Sequence, residues 1–421
     1  MQPTGPDDPD FAAMLRPGDR IVVGQATAEP LTLTRRLAHA RGLPHGCTVF
    51  LGSVYSDTWA GEPNGLAFEG YGAIGQAAKL AAADRLDILP WHYSQLARAY
   101  GDGSLRADCV MVQLAASPDG GFNLGIASDY VVEAARNARV VIAEINRHAP
   151  LCRGGEWPSD IRIDLAVEAQ HPPLELVAGE LGETELAIAE NVASLVPDRA
   201  VLQLGVGAIP QAVVAKLTGH RDLGIHSGAL FDGVVDLIES GVVTNAAKER
   251  DAGVSIAGLL IGTRRLYAYA NDNAAFRLCP PSYTHAVEIM ASLSLFCAIN
   301  SAVEVDLTGQ VNAETVGHRY VGAVGGQLDF VRGANASPGG RAIIALPSTA
   351  RGGTVSRIVP QVTTVTCPRS DVDAVVTEWG VAELRGCTLS QRAERMIAIA
   401  APQFREDLAR DWHDKGRAAH G

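Results

Sequence analysis

Several features that mark specialised protein classes are missing from this sequence. Its seven cysteines are scattered, odd in number and form no C-x-x-C pair, which excludes a disulfide framework and a zinc site of the usual spacing. No H-E-x-x-H motif or Cys/His cluster indicates any other metal site. No apolar run approaches the roughly 18 residues of a membrane-spanning helix. We therefore expect no metal and no membrane segment.

Positive charge is also scarce. The formal net charge is −12, and Lys and Arg form no stripe that could neutralise phosphates, which disfavours nucleic acid as a partner. The N-terminal sequence MQPTGPDDPDF is acidic and lacks the apolar core of a signal peptide. With 47% hydrophobic and 19% charged residues, the composition is typical of a compact enzyme or binding protein, which we expect to be cytoplasmic.

The sequence is rich in short apolar runs that end at glycine turns, most clearly in residues 201–245. Residues 201–204 (VLQL) predict a buried strand, and the G-V-G at residues 205–207 predicts a tight turn. A helix follows, with Pro210 in its first turn, where a missing N–H costs no hydrogen bond.

The next segment repeats this plan. We predict a strand at residues 223–226, a turn at 227–229 (Ser-Gly-Ala), a helix at about 231–239 and a strand at 242–243. Strand, crossover helix and strand in succession indicate a parallel α/β fold. Ligands bind outside the carboxyl ends of such strands, so both turns should face one crevice.

Similar apolar runs occur along the whole chain. Further predicted strands cover residues 20–24, 110–114, 140–145, 256–260, 295–299, 342–346 and 374–377. Residues 51–75, rich in Gly, Tyr, Trp and Ser, are predicted to be a loop region. The proline-rich segment from residue 171 to 185 predicts an interdomain connector.

The glycine turns are candidate ligand sites. GVGAIP at residues 205–210 is close to the dinucleotide fingerprint, but Pro210 replaces its third glycine, which weakens a nicotinamide interpretation. A glycine turn at a helix N-terminus remains, and it attracts phosphate or a developing oxyanion. Gly325-Gly326 offers a second such turn. Either one alone is compatible with ordinary turn chemistry, whereas the pair favours a ligand cradle. No G-K-[ST] is present, which excludes a P-loop.

Three polar residues near the predicted turn at residues 227–229 have structural interpretations. His226-Ser227 fits no G-x-S-x-G elbow, and neighbours on a strand point to opposite faces, so His226 is a poor activator of Ser227. A buried strand-end histidine and a turn serine fit better. Asp232 lies in the first turn of a helix, where the dipole stabilises a carboxylate without any catalytic duty.

Taken together, the motifs resemble the acetyl-CoA hydrolase/transferase family, and within it the 4-hydroxybutyrate CoA-transferases. The resemblance covers about residues 18–408. Its motifs are AEP at 28–30, SPDGGFNLG at 117–125, AEIN at 143–146, LQLGVGAIP at 202–210, LGIHSGALFDGVVDLIESGVV at 223–243, VGGQLDFVRGA at 324–334, IIALPS at 343–348 and VVTEWGVAELRG at 375–386.

The resemblance implies two similar open α/β domains of the class I CoA-transferase type, with mainly parallel sheets. We place them at residues 1–180 and 181–421, the second binding CoA, with the active site between them. It also implies a homodimer or homotetramer, and coenzyme A as a substrate moiety with no tightly bound cofactor. The implied CoA contacts are Gly205, Val206, Gly207, Ala208, Ile209, Gly325 and Leu346. Ala323 departs from the family by replacing the first glycine of a G-x-G-G.

A larger departure lies at Gly228. Members of the family read IHSE or IHTE, and the glutamate forms a mixed anhydride and then a glutamyl-CoA thioester. Here Ile225-His226-Ser227 is followed by Gly228, which has no side chain to form either intermediate. Asp232 is no replacement, because it matches an aspartate that the family has in addition to the glutamate.

Three hypotheses follow from Gly228. The protein hydrolyses a thioester, or it transfers an acyl group directly to a bound carboxylate or amine, or it is a catalytically silent acyl-CoA-binding protein or subunit. A nicotinamide oxidoreductase, which rests only on the incomplete fingerprint, ranks last.

Overall fold

The computed structural model of the chain describes residues 9–61 and 64–418, with side chains up to residue 414. Most of the N-terminal segment used in the signal-peptide argument lies outside the described residues. The strands of the N-terminal half are β1 (Arg20–Val23), β2 (Thr48–Leu51), β3 (Ala67–Gly70), β4 (Asp87–Ile88), β5 (Cys109–Ala116), β6 (Phe122–Asn123), β7 (Val140–Ile145) and β8 (Leu165–Glu168). Its helices are α1 (Phe11–Met14), α2 (Leu31–His39), α3 (Ala77–Ala82), α4 (Tyr93–Gly101) and α5 (Val131–Asn137).

The C-terminal half continues the same alternation. Its strands are β9 (Val201–Leu204), β10 (Gly224–Leu230), β11 (Ser255–Leu260), β12 (Phe276–Leu278), β13 (Phe296–Ser301), β14 (Glu304–Asp306), β15 (Val311–Asn312), β16 (Thr315–Val316), β17 (Arg319–Tyr320), β18 (Arg341–Ala345), β19 (Thr349–Ala350), β20 (Val355–Ser356), β21 (Ile358–Val359), β22 (Ala374–Thr377) and β23 (Gly380–Glu383). Its helices are α6 (Glu183–Ala193), α7 (Ala208–Lys216), α8 (Asp232–Glu239), α9 (Arg264–Ala270), α10 (Pro281–Thr284), α11 (Val287–Ala291), α12 (Gln327–Ala336), α13 (Leu389–Ala398) and α14 (Arg405–Ala418).

Two mainly parallel sheets organise the described chain. The N-terminal sheet has the order β4-β3-β2-β1-β5-β7-β8, with β6 antiparallel beside β5. The C-terminal sheet has the order β12-β11-β10-β9-β13-β18-β22-β23, with only β23 antiparallel to its neighbour. Strands such as β9 and β11 are buried along their full length, as expected for parallel strands covered on both faces. The predicted α/β class with mainly parallel sheets is confirmed.

The two sheets share one topological feature. In each, the strand order runs outward in both directions from a central pair, β1 and β5 in the first sheet and β9 and β13 in the second. Such a pair is a topological switch point, where the loops leaving adjacent strands diverge and open a crevice. The glycine turn at residues 205–207 directly follows β9, one of the two strands of the second switch point.

Backbone hydrogen bonds join the halves along this crevice. Leu260 N–H donates to Ile126 O at 3.0 Å, and Ser128 N–H donates to Gly258 O at 2.9 Å. One hydrophobic cluster, with Tyr130 in the first half and Phe276 in the second, continues across the junction. The halves therefore share a core. The predicted connector at residues 171–185 follows β8 and is free of helix and strand up to residue 182, but its last three residues already belong to α6. The exact domain limits stay a prediction.

Two local predictions are wrong. Residues 51–75, predicted to be a loop region, contain β3, because the short A-F-E-G run pairs with β2 over four residues. The predicted strand at 242–243 is a single bridge between Leu223 and Val243, since the chain turns away at once. Helix α8 is followed by Gly241, whose φ of +76° is typical of a glycine just beyond a helix C-terminus.

Candidate functional site

The first glycine turn connects β9 to α7 as the sequence predicts. Gly207 precedes the helix with φ 130°, a value that side-chain-bearing residues rarely adopt. No side chain caps the first turn of α7, and Val206 is 47% exposed. The free backbone N–H groups and the positive end of the helix dipole are therefore open to the crevice.

The second glycine turn precedes α12. Gly325 has φ +54°, and Gln327, the first residue of α12, donates from Nε2 to Ser301 O at 3.3 Å. This contact holds the turn beside the carboxyl end of β13. Tyr93 N–H, from the N-terminal half, donates to Gly325 O at 2.9 Å. The second turn thus lies at the junction of the halves.

Leu346, the last implied CoA contact, directly follows β18. Its side chain is fully buried, and its N–H donates to Val376 O at 3.0 Å. In this arrangement Leu346 has no exposed surface, so its implied contact with CoA stays a prediction. Because β18 and β9 both flank β13, all the implied CoA residues lie at the carboxyl ends of three adjacent strands.

The prediction of a turn at residues 227–229 is wrong. Strand β10 runs through this segment to Leu230, because its part from His226 onwards pairs with β11, with Ser227 opposite Ala257 and Ala229 opposite Leu259. The Ser227 hydroxyl is also within 3.2 Å of both the N–H and the carbonyl oxygen of Leu204. These long-range contacts outweigh the weak strand propensity of Ser and Gly.

Gly228 nevertheless lies in the crevice. Strand β9 pairs with β10 through Gly224 opposite Val201, and continuing this register puts Gly228 level with Gly205, just beyond the end of β9. Gly228 is also partly exposed although the residues on either side of it are buried. The residue without a side chain therefore borders the first glycine turn, as the predicted crevice requires.

An imidazole fills the space beside Gly228. A Cβ placed on Gly228 would lie 3.2 Å from His285 Cε1 and 3.3 Å from His285 Nε2, and a Cβ on Gly326 would lie 2.5 Å from the same Nε2. The His285 ring centroid is 4.5 Å from that of Phe330 and 4.9 Å from that of Tyr93. The His285 ring thus lies between the two glycines and contacts the rings of Phe330 and Tyr93.

Hydrogen bonding assigns the tautomer of His285. Thr284 Oγ1 donates to Pro280 O at 3.3 Å and lies 2.8 Å from His285 Nδ1. A hydroxyl has one proton, and we assign it to the bond with Pro280 O, which makes Nδ1 the donor to Oγ1. Nε2 is then unprotonated, and no hydrogen bond to it occurs within the described residues. Burial, and then His226, lower the pKa of His285 to about 3, so the ring is neutral near pH 7.

His226, Ser227 and Asp232, which the sequence predicts to be structural, have the following contacts. His226 is fully buried and its Nε2 lies 3.0 Å from Thr284 O; burial, and then Lys248, lower its pKa to about 4. The Asp232 carboxylate accepts hydrogen bonds from Thr263 N–H at 2.9 Å and Thr263 Oγ1 at 2.7 Å. His226 and Asp232 therefore hold neighbouring segments in place through hydrogen bonds. Ser227 is a strand residue and not a turn serine.

Sequence reasoning did not identify His285, Phe330 or Tyr93. They come from three distant segments, and only the tertiary fold brings them together around Gly228. The available signal was a pair of glycines, Gly228 and Gly326, that leave room for a neighbouring side chain. Within residues 9–61 and 64–418, no group of His, Cys, Asp and Glu side chains could hold a metal ion. No helix of the same ranges is long and apolar enough to cross a lipid bilayer.

Comparisons with known proteins identify the family. The acetyl-CoA hydrolase/transferase C-terminal domain matches residues 262–412. The 4-hydroxybutyrate coenzyme A transferase of Clostridium kluyveri is 42% identical over 332 residues, which are 78% of this chain and 77% of that protein. The chain belongs to the acetyl-CoA hydrolase/transferase family.

Solved structures agree with this family assignment. The crystal structure of RipA from Yersinia pestis superimposes with a TM-score of 0.89 at 34% identity, covering 97% of this chain and 96% of that one. The 4-hydroxybutyrate CoA-transferase from Porphyromonas gingivalis gives 0.78 at 32% identity, covering 96% and 95%. The resemblance seen in the sequence motifs and the CoA-transferase fold are thus confirmed, whereas the CoA contacts and the role of Gly228 stay predictions.

Proposed function

We propose that this protein cleaves an acyl-CoA thioester by direct attack of water or of a small bound acceptor, without a glutamyl-CoA intermediate. The observation that carries the proposal is Gly228, which lies in the crevice beside the first glycine turn but has no side chain to accept an acyl group. The family's covalent route needs a carboxylate there.

The rest of the crevice supports a retained CoA site. The exposed turn at residues 205–207 and the turn at Gly325 both present backbone to the space between the halves. Backbone N–H groups at a helix N-terminus stabilise the phosphates of a nucleotide-like ligand, or the oxyanion that develops as a thioester is attacked. These groups do not depend on the missing carboxylate.

A catalytically silent acyl-CoA-binding protein or subunit is the second candidate. The observation that favours it is the tight packing around Gly228, where His285 and Phe330 both approach within 3.3 Å of a Cβ position. If these rings exclude the acceptor, the crevice holds a thioester without cleaving it.

Thiol release, trapping and isotope labelling separate these functions. The purified full-length protein is incubated with short, branched and aromatic acyl-CoAs, and free CoA is measured with a thiol reagent. We expect CoA release, and no CoA adduct on the protein after borohydride or hydroxylamine treatment and mass spectrometry. In a single turnover in ¹⁸O-water, direct hydrolysis labels the released acid, whereas a mixed anhydride passes on an unlabelled enzyme oxygen.

Each alternative has its own signature. A glutamyl-CoA adduct at any position of the chain would overturn the proposal. CoA binding by calorimetry with no thiol release from any acyl-CoA would favour the silent binding protein. CoA release that yields an acylated acceptor and no free acid would indicate direct transfer and exclude water as the acceptor.

A further inference from the structure

The space that Gly228 leaves is occupied by a group able to accept a proton. His285 Nε2 lies between Gly228 and Gly326, 3.3 Å from the position of a Cβ on Gly228 and 2.5 Å from that of a Cβ on Gly326. Both glycines are partly exposed, so a small molecule entering the crevice reaches this edge of the ring. His285 comes from α10 and the loop after it, and not from the strand that carries the family's nucleophile.

We infer that, on the proposed function, His285 is the general base that takes the proton of the attacking group, and that the acceptor is therefore a protic one: water, a hydroxyl or an amine. A carboxylate acceptor is already ionised at neutral pH and has no proton to lose. A base at this position assists only nucleophiles that must be deprotonated as they attack.

The contacts of His285 suit this role. Its Nδ1–H is held by Thr284 Oγ1 at 2.8 Å, and Thr284 is in turn fixed by Pro280 O at 3.3 Å. This arrangement fixes the tautomer and directs the Nε2 lone pair towards the two glycines. Phe330 and Tyr93 hold the ring plane from the sides. A base needs this kind of support to meet its substrate in one orientation.

The proton balance closes within the site. As the acceptor oxygen or nitrogen bonds to the thioester carbon, its proton moves to His285 Nε2. The C–S bond then breaks with its electron pair on sulfur, and Nε2–H returns the proton to the CoA thiolate. With water the products are a carboxylic acid and CoA thiol. Burial disfavours the charged ring, so the imidazolium is a transient species that returns its proton readily, while the neutral ring is a weak base and needs the attacking group held close to Nε2.

Substitution of His285 tests the inference. His285→Gln keeps an amide near the position of Nε2 but cannot take up the proton, so kcat for thiol release should fall about 100-fold while KM for acyl-CoA changes little. His285→Ala opens a hole in which added imidazole should restore part of the rate. His220→Gln is the matched control: it removes another imidazole that bonds to a backbone carbonyl, Val196 O at 3.0 Å, and it should keep most of the activity.

Acceptor preference and spectroscopy give independent readouts. Hydroxylamine should compete with water for the acyl group far better than acetate does, and the hydroxylamine reaction should also slow in His285→Gln. In ¹⁵N-histidine spectra of the wild type, the signal that disappears in His285→Gln should show an unprotonated Nε2 and a protonated Nδ1 at pH 7. This measurement does not depend on the activity of any variant.

The outcomes distinguish a failure of the proposed function from a failure of the proposed role of His285. If the wild type cleaves no thioester, the proposed function is wrong and the role of His285 is wrong with it. If the wild type is active but His285→Gln matches it in kcat, or acetate is the preferred acceptor, only the inference is overturned. A protonated Nε2 at pH 7 would also overturn it.

Discussion

Gly228 and His285 share one volume in the crevice, so the chemistry of each depends on the other. A side chain at position 228 requires the His285 ring to shift by a few tenths of an ångström, because its Cβ would be 3.2 Å from Cε1, tighter than ordinary van der Waals contact. A glutamate needs further room beyond Cβ. On the proposed role of Gly228, the absence of a carboxylate there and the nearness of the His285 ring are therefore coupled.

This shared volume predicts how family-like chemistry can be restored. Gly228→Glu alone should form little glutamyl-CoA from acetyl-CoA, because the ring blocks the new carboxylate. Gly228→Glu combined with His285→Ala should form the adduct and exchange CoA between acetyl-CoA and a carboxylate. Intact-protein mass spectrometry after borohydride treatment measures the adduct in both variants.

His285→Ala alone is the control, and it should form no adduct because it adds no carboxylate. Equal adduct formation in Gly228→Glu and in the double variant would show that the ring yields freely. In that case His285 does not obstruct position 228.

The sequence reveals only one member of this pair. Gly228 stands out because the motif around it resembles the family's, and this resemblance predicts a carboxylate at position 228. His285 lies in a segment with no recognisable motif, and its contact with Gly228 exists only because α10 packs against β10 and β11. Contacts between segments so far apart depend on tertiary packing, which local periodicity does not encode.

At the scale of elements, local patterns predict most of the strands well. Strands β7, β9 and β22 begin and end where their apolar runs do. Strand β10 differs because its last residues, Ser-Gly-Ala-Leu, lack a strand pattern, and pairing with β11 keeps them extended. The local sequence therefore predicts a turn at residues 227–229, whereas pairing with a distant strand decides the conformation.

The turn before α7 yields a prediction about CoA binding. Gly207→Ala puts a Cβ at φ 130°, where no neighbouring atom clashes but the backbone is strained, at a cost of roughly 1–3 kcal/mol. The turn should shift to relieve this strain and misalign the first N–H groups of the helix. We expect CoA affinity, measured by titration calorimetry, to fall about tenfold, equivalent to about 1.4 kcal/mol.

Gly219→Ala is the matched control for this variant. Gly219 follows the same helix, has open space around its Cα and no strained φ, so CoA affinity should stay at the wild-type value. Unchanged affinity in Gly207→Ala would mean that this turn does not contact CoA.

For the whole molecule, the position of the crevice follows from topology. Both halves have the same switch-point order, and the loops of the second switch point face the first half through Tyr93 and Gly325. The parallel α/β class could be predicted from the alternation of elements. How the halves dock could not, because it depends on single contacts such as Ala323 packing against Gly72.

The shared core predicts that the two halves unfold together. Ser94 in α4 donates from Oγ to Asp329 Oδ1 in α12 at 2.8 Å, and its N–H donates to Oδ2 at 3.2 Å. Burial raises the pKa of Asp329 and these hydrogen bonds lower it. Ser94→Ala leaves this buried carboxylate with one donor fewer, which should lower the free energy of unfolding by about 1–2 kcal/mol. Calorimetry should show one transition in the wild type and one, at lower temperature, in the variant.

Ser104→Ala serves as the control, because the Ser104 hydroxyl bonds only to exposed Asp102 in the loop after α4, and such surface contacts contribute little. Its transition should coincide with that of the wild type. Two separate transitions, with Ser94→Ala shifting only the first, would show that the halves unfold independently. The two halves would then move relative to each other. His285, which follows α10 and contacts Tyr93, would lose the fixed orientation that general-base catalysis requires.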